Sequence, residues 1–160
     1  MRGEYAVLVR HVVTLGFERQ LAKDAVQETM VDLFRQWSEV RDPRAWVRTT
    51  AARHAKRLKD REARQRALDT EAFIRTSSTL PGPEVGMAAK EELFIVLKAL
   101  QELPEQQRSV MAWHFDGYKP SEIAHHLGVS AVTVRSNLRH ARERLKPLWH
   151  ETGAEGGGEK

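Results

Sequence analysis

The sequence contains no cysteine. Disulfides and thiolate-based zinc sites are therefore excluded, and with them the small secreted scaffolds that depend on cross-links. No apolar run approaches the roughly 20 residues of a membrane-spanning helix. The amino-terminal stretch MRGEYAVLVRHVVTLGF is apolar only briefly. Arg10 and His11 interrupt it, which makes it a poor signal peptide, and a cytoplasmic location is expected. The alternation of apolar and polar residues that marks half-buried strands is missing, and no internal repeat is evident. HExxH, a glycine-rich phosphate loop and a nucleophile motif are also lacking, so an enzyme is not expected. The 7 histidines invite a metal reading. His125 and His126 are adjacent, however, and neighbouring side chains on a helix diverge by about 100°. They cannot easily chelate together, and neither a metal nor a cofactor is expected.

What is present is helical. A chain of 160 residues, 41% of them hydrophobic, suits one domain or two small ones. The net charge of +4 says little, but its distribution says more. Ten basic residues stand against three acids from Arg41 to Arg66, and five against one from Arg135 to Lys146. Between them, Glu71 to Glu105 carries six acids and three bases. Two basic islands are what two contacts with a polyanion require, and also what two solvated helix faces would show.

Apolar spacing predicts three helices in the first half. They cover about Tyr5–Leu15, about Ala22–Trp37 and, after an Asp42 cap and Pro43, Arg44 to about Arg66. Val26, Met30, Leu33, Phe34 and Trp37 are expected to form the apolar side of the second. Val47, Ala51, Ala55 and Leu58 form that of the third. The pattern fades from Ala67 to Gly86, where Thr76–Thr79 and Pro81-Gly82-Pro83 read as a flexible linker, with a short helix around Glu71–Arg75. Helical spacing resumes at Leu93, Val96, Leu97, Leu100 and Leu103. Further helices are expected at Glu105–Phe115, Ser121–Leu127 and Ser130 to about Trp149, before a glycine-rich tail with nothing to bury. The fold class is all-α, two small helical domains: 1–66, a linker at 67–88, 89–150, and a disordered tail at 151–160.

Residues 121–145 have the form of a helix-turn-helix. Ser121 can cap the first helix, Ile123 and Leu127 face the core, and the small Ala124 permits a close crossing. Gly128 supplies the turn, Val129 plugs it, and Ser130 caps the second helix. On that second helix Val134, Leu138, Ala141 and Leu145 share one side. Val132, Arg135, Ser136, Arg139 and His140 lie on the other, which is what a recognition helix presents to a major groove. An amphipathic hairpin with a solvated basic face would look similar.

On the third helix Trp46, Thr49, Thr50, Arg53, Lys56 and Arg57 share a face. An exposed indole beside cations and hydroxyls suits unpaired bases on a phosphate backbone, while an indole in the core would serve packing alone. The second helix carries Asp24, Gln27, Glu28 and Asp32 outward, with Arg35 further on. That face repels DNA and suits either a basic protein surface or plain solvation.

Two segments, Asp24–Met30 (DAVQETM) and Arg41–Arg48 (RDPRAWVR), resemble region 2 of the extracytoplasmic-function sigma factors of bacterial RNA polymerase. Leu100–Met111 (LQELPEQQRSVM), Asp116–Val129 (DGYKPSEIAHHLGV) and Thr133–Leu145 (TVRSNLRHARERL) resemble region 4. The match runs in order along nearly the whole chain. It departs at Lys119-Pro120, where the family often has a small polar residue and an aromatic, at Val132, where glycine is common, and at His54, where asparagine is frequent.

The resemblance implies a transcription initiation factor whose partners are core RNA polymerase and promoter DNA, and it leaves an anti-sigma partner open. Polymerase would be held by Asp24, Gln27, Glu28, Asp32 and Arg35. The melted −10 element would lie on Trp46, Arg48, Thr49, Thr50, Arg53, His54, Lys56 and Arg57, with the turn from Trp37 to Asp42 accepting a flipped base. The duplex −35 element would be read by Ser130, Val132, Thr133, Arg135, Ser136, Arg139 and His140. The alternatives are a helix-turn-helix regulator acting without polymerase and a helical adaptor that binds only proteins.

Overall fold

The computed structural model describes residues 2–69 and 87–151, with side chains from 3 to 69 and from 94 to 148. Seven helices and no strand occur among the described residues: α1 (Arg2–Thr14), α2 (Arg19–Arg35), α3 (Pro43–Leu68), α4 (Met87–Glu102), α5 (Glu105–Phe115), α6 (Pro120–Leu127) and α7 (Ala131–Glu151). They form two compact units, one on α1–α3 and one on α4–α7. The all-α, two-unit architecture is the one expected. Helices α3 and α4 each run two residues into the span expected as linker. The short helix anticipated at Glu71–Arg75 and the glycine-rich tail lie outside the described residues.

In the first unit, Leu8 and Val12 of α1 meet Leu21, Ala22, Ala25 and Val26 of α2 and Val47, Ala51 and Ala55 of α3 in one apolar cluster. The alanines let α2 and α3 approach closely, and Tyr5, Phe17, Met30, Leu33, Trp46 and Leu58 close the edges. Thr29, buried on α2, returns its hydroxyl to the Ala25 carbonyl at 2.7 Å, so that hydroxyl is satisfied inside the unit. Helix α3 starts as its sequence dictates: the Asp42 carboxylate accepts the Ala45 amide at 3.1 Å and Pro43 opens the first turn.

The apolar side expected for α2 needs correction at its end. Met30 and Leu33 pack on the core, but Phe34 is 85% exposed and Trp37 62%. The buried stripe runs instead through Leu21, Ala22, Ala25, Val26 and Thr29. The helix ends at Arg35, and a tight turn follows in which the Glu39 and Val40 amides both donate to the Gln36 carbonyl. Phe34 and Trp37 therefore stand outside the apolar cluster.

In the second unit, Leu100, Leu103, Val110, Met111, Trp113, Ile123, Val134, Leu138, Ala141 and Leu145 are all buried. Helix α7 packs against α4, α5 and α6, and its four buried residues recur at intervals of four, three and four, the spacing of one helix face. Pro104 precedes α5, and Gly117, with φ at 88°, turns the chain out of it.

Candidate nucleic-acid interface

The helix-turn-helix is assembled by local chemistry. At the start of α6 the Lys119 amide donates to the Glu122 carboxylate at 2.7 Å, with Pro120 in the first turn. Ser121, expected as the cap, lies inside the helix, one residue beyond Pro120. The amides of Gly128 and Val129 both reach the Ala124 carbonyl, the latter at 3.1 Å, and Gly128 sits in the left-handed region at φ 67°. Val129 does not plug this turn; it is exposed. Ser130 then caps α7 as expected, accepting the Thr133 amide on its hydroxyl at 3.0 Å.

A ring cluster fixes α6 against α5. The imidazole of His126 stacks on the buried Trp113 indole with centroids 4.8 Å apart and planes 14° apart. Tyr118 meets both rings edge-on, at 4.9 and 5.6 Å. Sequence reasoning missed this role for His126. The available signal was an aromatic pair, Trp113 and Tyr118, flanking the turn into α6. His114 also has a partner: it accepts the Arg142 guanidinium at 3.0 Å. Burial and then the adjacent Arg142 charge push its imidazole below the ordinary value of 6.5.

With Val134, Leu138, Ala141 and Leu145 consumed by the core, α7 turns the rest of its surface outward. Val132, Thr133, Arg135, Arg139 and His140 are exposed and Ser136 is half-buried. Arg135 and Arg139 lie one turn apart, as do Ser136 and His140, so these four form one polar face. The hydroxyls of Ser130 and Thr133 are committed to each other at 2.8 Å and to the cap. They anchor the helix start beside that face.

The α3 candidates divide. Thr49, Arg53, Lys56 and Arg57 lie on an open face. Arg48 does not: it is 1% exposed and its guanidinium donates to the Arg44 carbonyl at 2.7 Å. Thr50 and His54 are buried as well, and Trp46 is half-buried against the core. The idea of an exposed Trp46 beside cations is thereby corrected. At about 100° per residue, Arg48 and His54 lie about 60° to either side of Ala51, and Thr50 about 100° away. Packing closes over that whole arc, wider than the apolar stripe alone. The exposed indole near this site is that of Trp37, which periodicity had placed in the core.

His54 is held by α2. Its Nε2 faces Asp32 at 2.9 Å and its Nδ1 faces Glu28 at 3.0 Å. Arg57 donates to the same Glu28 carboxylate at 3.2 Å and abuts the His54 ring. Two of the outward carboxylates of α2 are thus engaged by α3. Asp24, which accepts from Gln20 at 3.1 Å, and Gln27 remain on the exposed face, and Arg35 stays largely in solvent, 3.9 Å from Asp32. Among the described residues no group of three or more His, Asp or Glu is arranged to hold a metal ion, and no helix is long and apolar enough to cross a membrane.

Comparison with known proteins agrees with this anatomy. Residues 93–145 match the family model for sigma-70, region 4. The sequence is 31% identical over 156 residues to the ECF RNA polymerase sigma factor SigL in three strains of Mycobacterium tuberculosis, the alignment covering 92% of this chain and 85% of the relative. The fold resembles that of the sigma factor RpoE from Bartonella quintana, solved in complex with the anti-sigma factor NepR. That match has a TM-score of 0.70 at 20% identity and covers 92% of both chains. A curated relative along almost the entire sequence, a region 4 match over the helix-turn-helix and a shared all-helical fold place this chain among the extracytoplasmic-function sigma factors of the sigma-70 family, proteins of transcription initiation.

Proposed function

We propose that the protein binds core RNA polymerase and directs it to specific promoters, with α2 docking on polymerase, α3 melting and holding the −10 element, and α7 reading the −35 element in the major groove. The division into working parts follows: residues 1–66 for polymerase and the −10 element, 67–88 as connection and 89–150 for the −35 element. The site of action is the cytoplasm.

The observation that carries the reading is the outward face of α7. A helix whose apolar side is used up presents Arg135, Ser136, Arg139 and His140 at the end of a glycine turn. Arginine is the commonest bidentate reader of guanine, and serine can bond to a base or a phosphate. On α3 the open set Thr49, Arg53, Lys56 and Arg57 supplies charge and hydroxyls for a backbone. Arg48, Thr50 and His54 support that helix from beneath. On α2, Asp24, Gln27 and Glu28 offer an acidic, amide-bearing face complementary to a basic protein surface. An anti-sigma factor belongs to the same proposal as a regulatory partner, supported by the likeness to a sigma factor solved with one.

Reconstituted transcription with core polymerase on a promoter library tests the reading. The expected result is start sites that appear only with the protein and share two sequence elements. Failure to co-purify with core polymerase, together with unchanged start-site choice, overturns it.

A further inference from the structure

The cluster joining α2 to α3 connects two surfaces that the proposed function treats as separate. Glu28 belongs to the face offered to polymerase and Arg57 to the face offered to DNA, yet they are 3.2 Å apart and bonded to each other. Their accessibility differs from that of their neighbour. The His54 side chain is only 9% exposed and sits between Glu28 and Asp32. It has nowhere to swing, and it positions the two carboxylates. The Arg57 side chain is 63% exposed and that of Glu28 45%, so their contact opens without disturbing the core. Arg57 also lies one turn from the exposed Arg53. A small rotation of its long side chain moves it from the acidic face to the basic one.

We propose that Arg57 is an exchangeable cation: Glu28 holds it in the free protein, and docking of a basic protein surface on α2 releases it to a phosphate of unpaired DNA on α3. This rests on the reading of α2 and α3 given above and adds a coupling between them. A basic partner surface competes for the Glu28 carboxylate. Once that carboxylate is taken, Arg57 has lost its counter-charge and completes the row begun by Arg53. By linkage, DNA on α3 strengthens docking on α2 by the same factor.

The test is binding of a fluorescently labelled, mixed-sequence single-stranded oligonucleotide to the full chain, across a range of salt. Glu28→Gln keeps a hydrogen-bonding group for His54 and removes the charge that holds Arg57. Asp24→Asn removes one charge from the same face without touching α3, since Asp24 bonds to Gln20. Glu28→Gln is expected to bind the oligonucleotide roughly two- to fivefold more tightly than Asp24→Asn, the range set by the loss of one exposed ion pair. The magnitude of its salt slope should rise by about 0.7, the value for one more single-strand phosphate contact. Adding Arg57→Ala to Glu28→Gln should abolish the gain. Thermal melting establishes that each variant is folded. Equal gains for Glu28→Gln and Asp24→Asn overturn the exchange, because general charge then suffices. So does a gain that survives the loss of Arg57, or the absence of any binding by Glu28→Gln. The broader functional reading fails separately, in the transcription assay.

Discussion

Helices α3 and α7 are both long and rich in arginine, and they spend their cations differently. On α7 the split is clean: four apolar residues face inward, and Arg135, Arg139 and His140 face out. On α3 the split is blurred. Arg48 and His54 are buried, Arg57 is exposed but engaged with Glu28, and Arg53 and Lys56 lie beside it on the open face. The cause lies in the neighbours. Helices α5 and α6, which pack on α7, carry the buried apolar residues Val110, Met111, Trp113 and Ile123. Helix α2 offers α3 a small-residue seam with Glu28 and Asp32 at its edge. A basic residue becomes a ligand-facing group or an internal brace according to what the next helix carries.

Arg48 and Arg139 break the comparison most sharply. Arg48→Ala should cost about 3–4 kcal/mol of stability, since it empties one of the largest fully buried side chains and discards a charge-assisted hydrogen bond. Denaturant unfolding measures this, and Arg48→Met, which restores the volume, should recover much of the loss. Arg139→Ala should leave the melting temperature nearly unchanged. It should instead lower discrimination at one or two −35 positions by about 1–3 kcal/mol, as read by competition binding to duplex variants. A stability loss at Arg139 matching that at Arg48 would erase the distinction between the helices.

Periodicity and capping made much of this legible. The apolar stripes of α3 and α7, the Asp42-Pro43 start, the Gly128 turn and the Ser130 cap all follow from rules that act within one turn of chain. Burial at the flanks of a stripe does not. Nothing local separates Arg48 from Arg53, or Phe34 from Leu33, because both members of each pair suit a helix equally well. The outcome depends on how far a second helix wraps around the first.

Two smaller effects sharpen the picture of α7. Ser130→Ala should destabilise the second unit by about 1 kcal/mol, the usual loss for an N-cap hydroxyl. Thermal melting checks this, and −35 binding should fall with it because the start of α7 frays. The least effect concerns pH. The His114 imidazole is lowered below 6.5 by burial and then by Arg142, so as pH falls the unfolded chain takes up that proton before the folded one does. Its contribution is therefore complete above 6.5 and declines as pH drops through that value. His114→Gln should make melting less sensitive to pH between about 7.5 and 5.5, and an unchanged dependence would assign the slope to other groups.

The sequence by itself determined the helical class, the division into two units, the turn and cap of the helix-turn-helix and the apolar side of its second helix. Each of these rests on interactions spanning four residues or fewer, or on periodicity along one element. Only the tertiary structure decided that Arg48, Thr50 and His54 turn inward, that Trp46 packs while Trp37 stands free, that His126 stacks on Trp113, and that Glu28 and Arg57 share one contact. Those outcomes depend on the arc over which separate helices cover one another. That arc is set by the small residues Ala22, Ala25, Ala51 and Ala55, which bring α2 and α3 close enough to bury polar neighbours along with the apolar stripe.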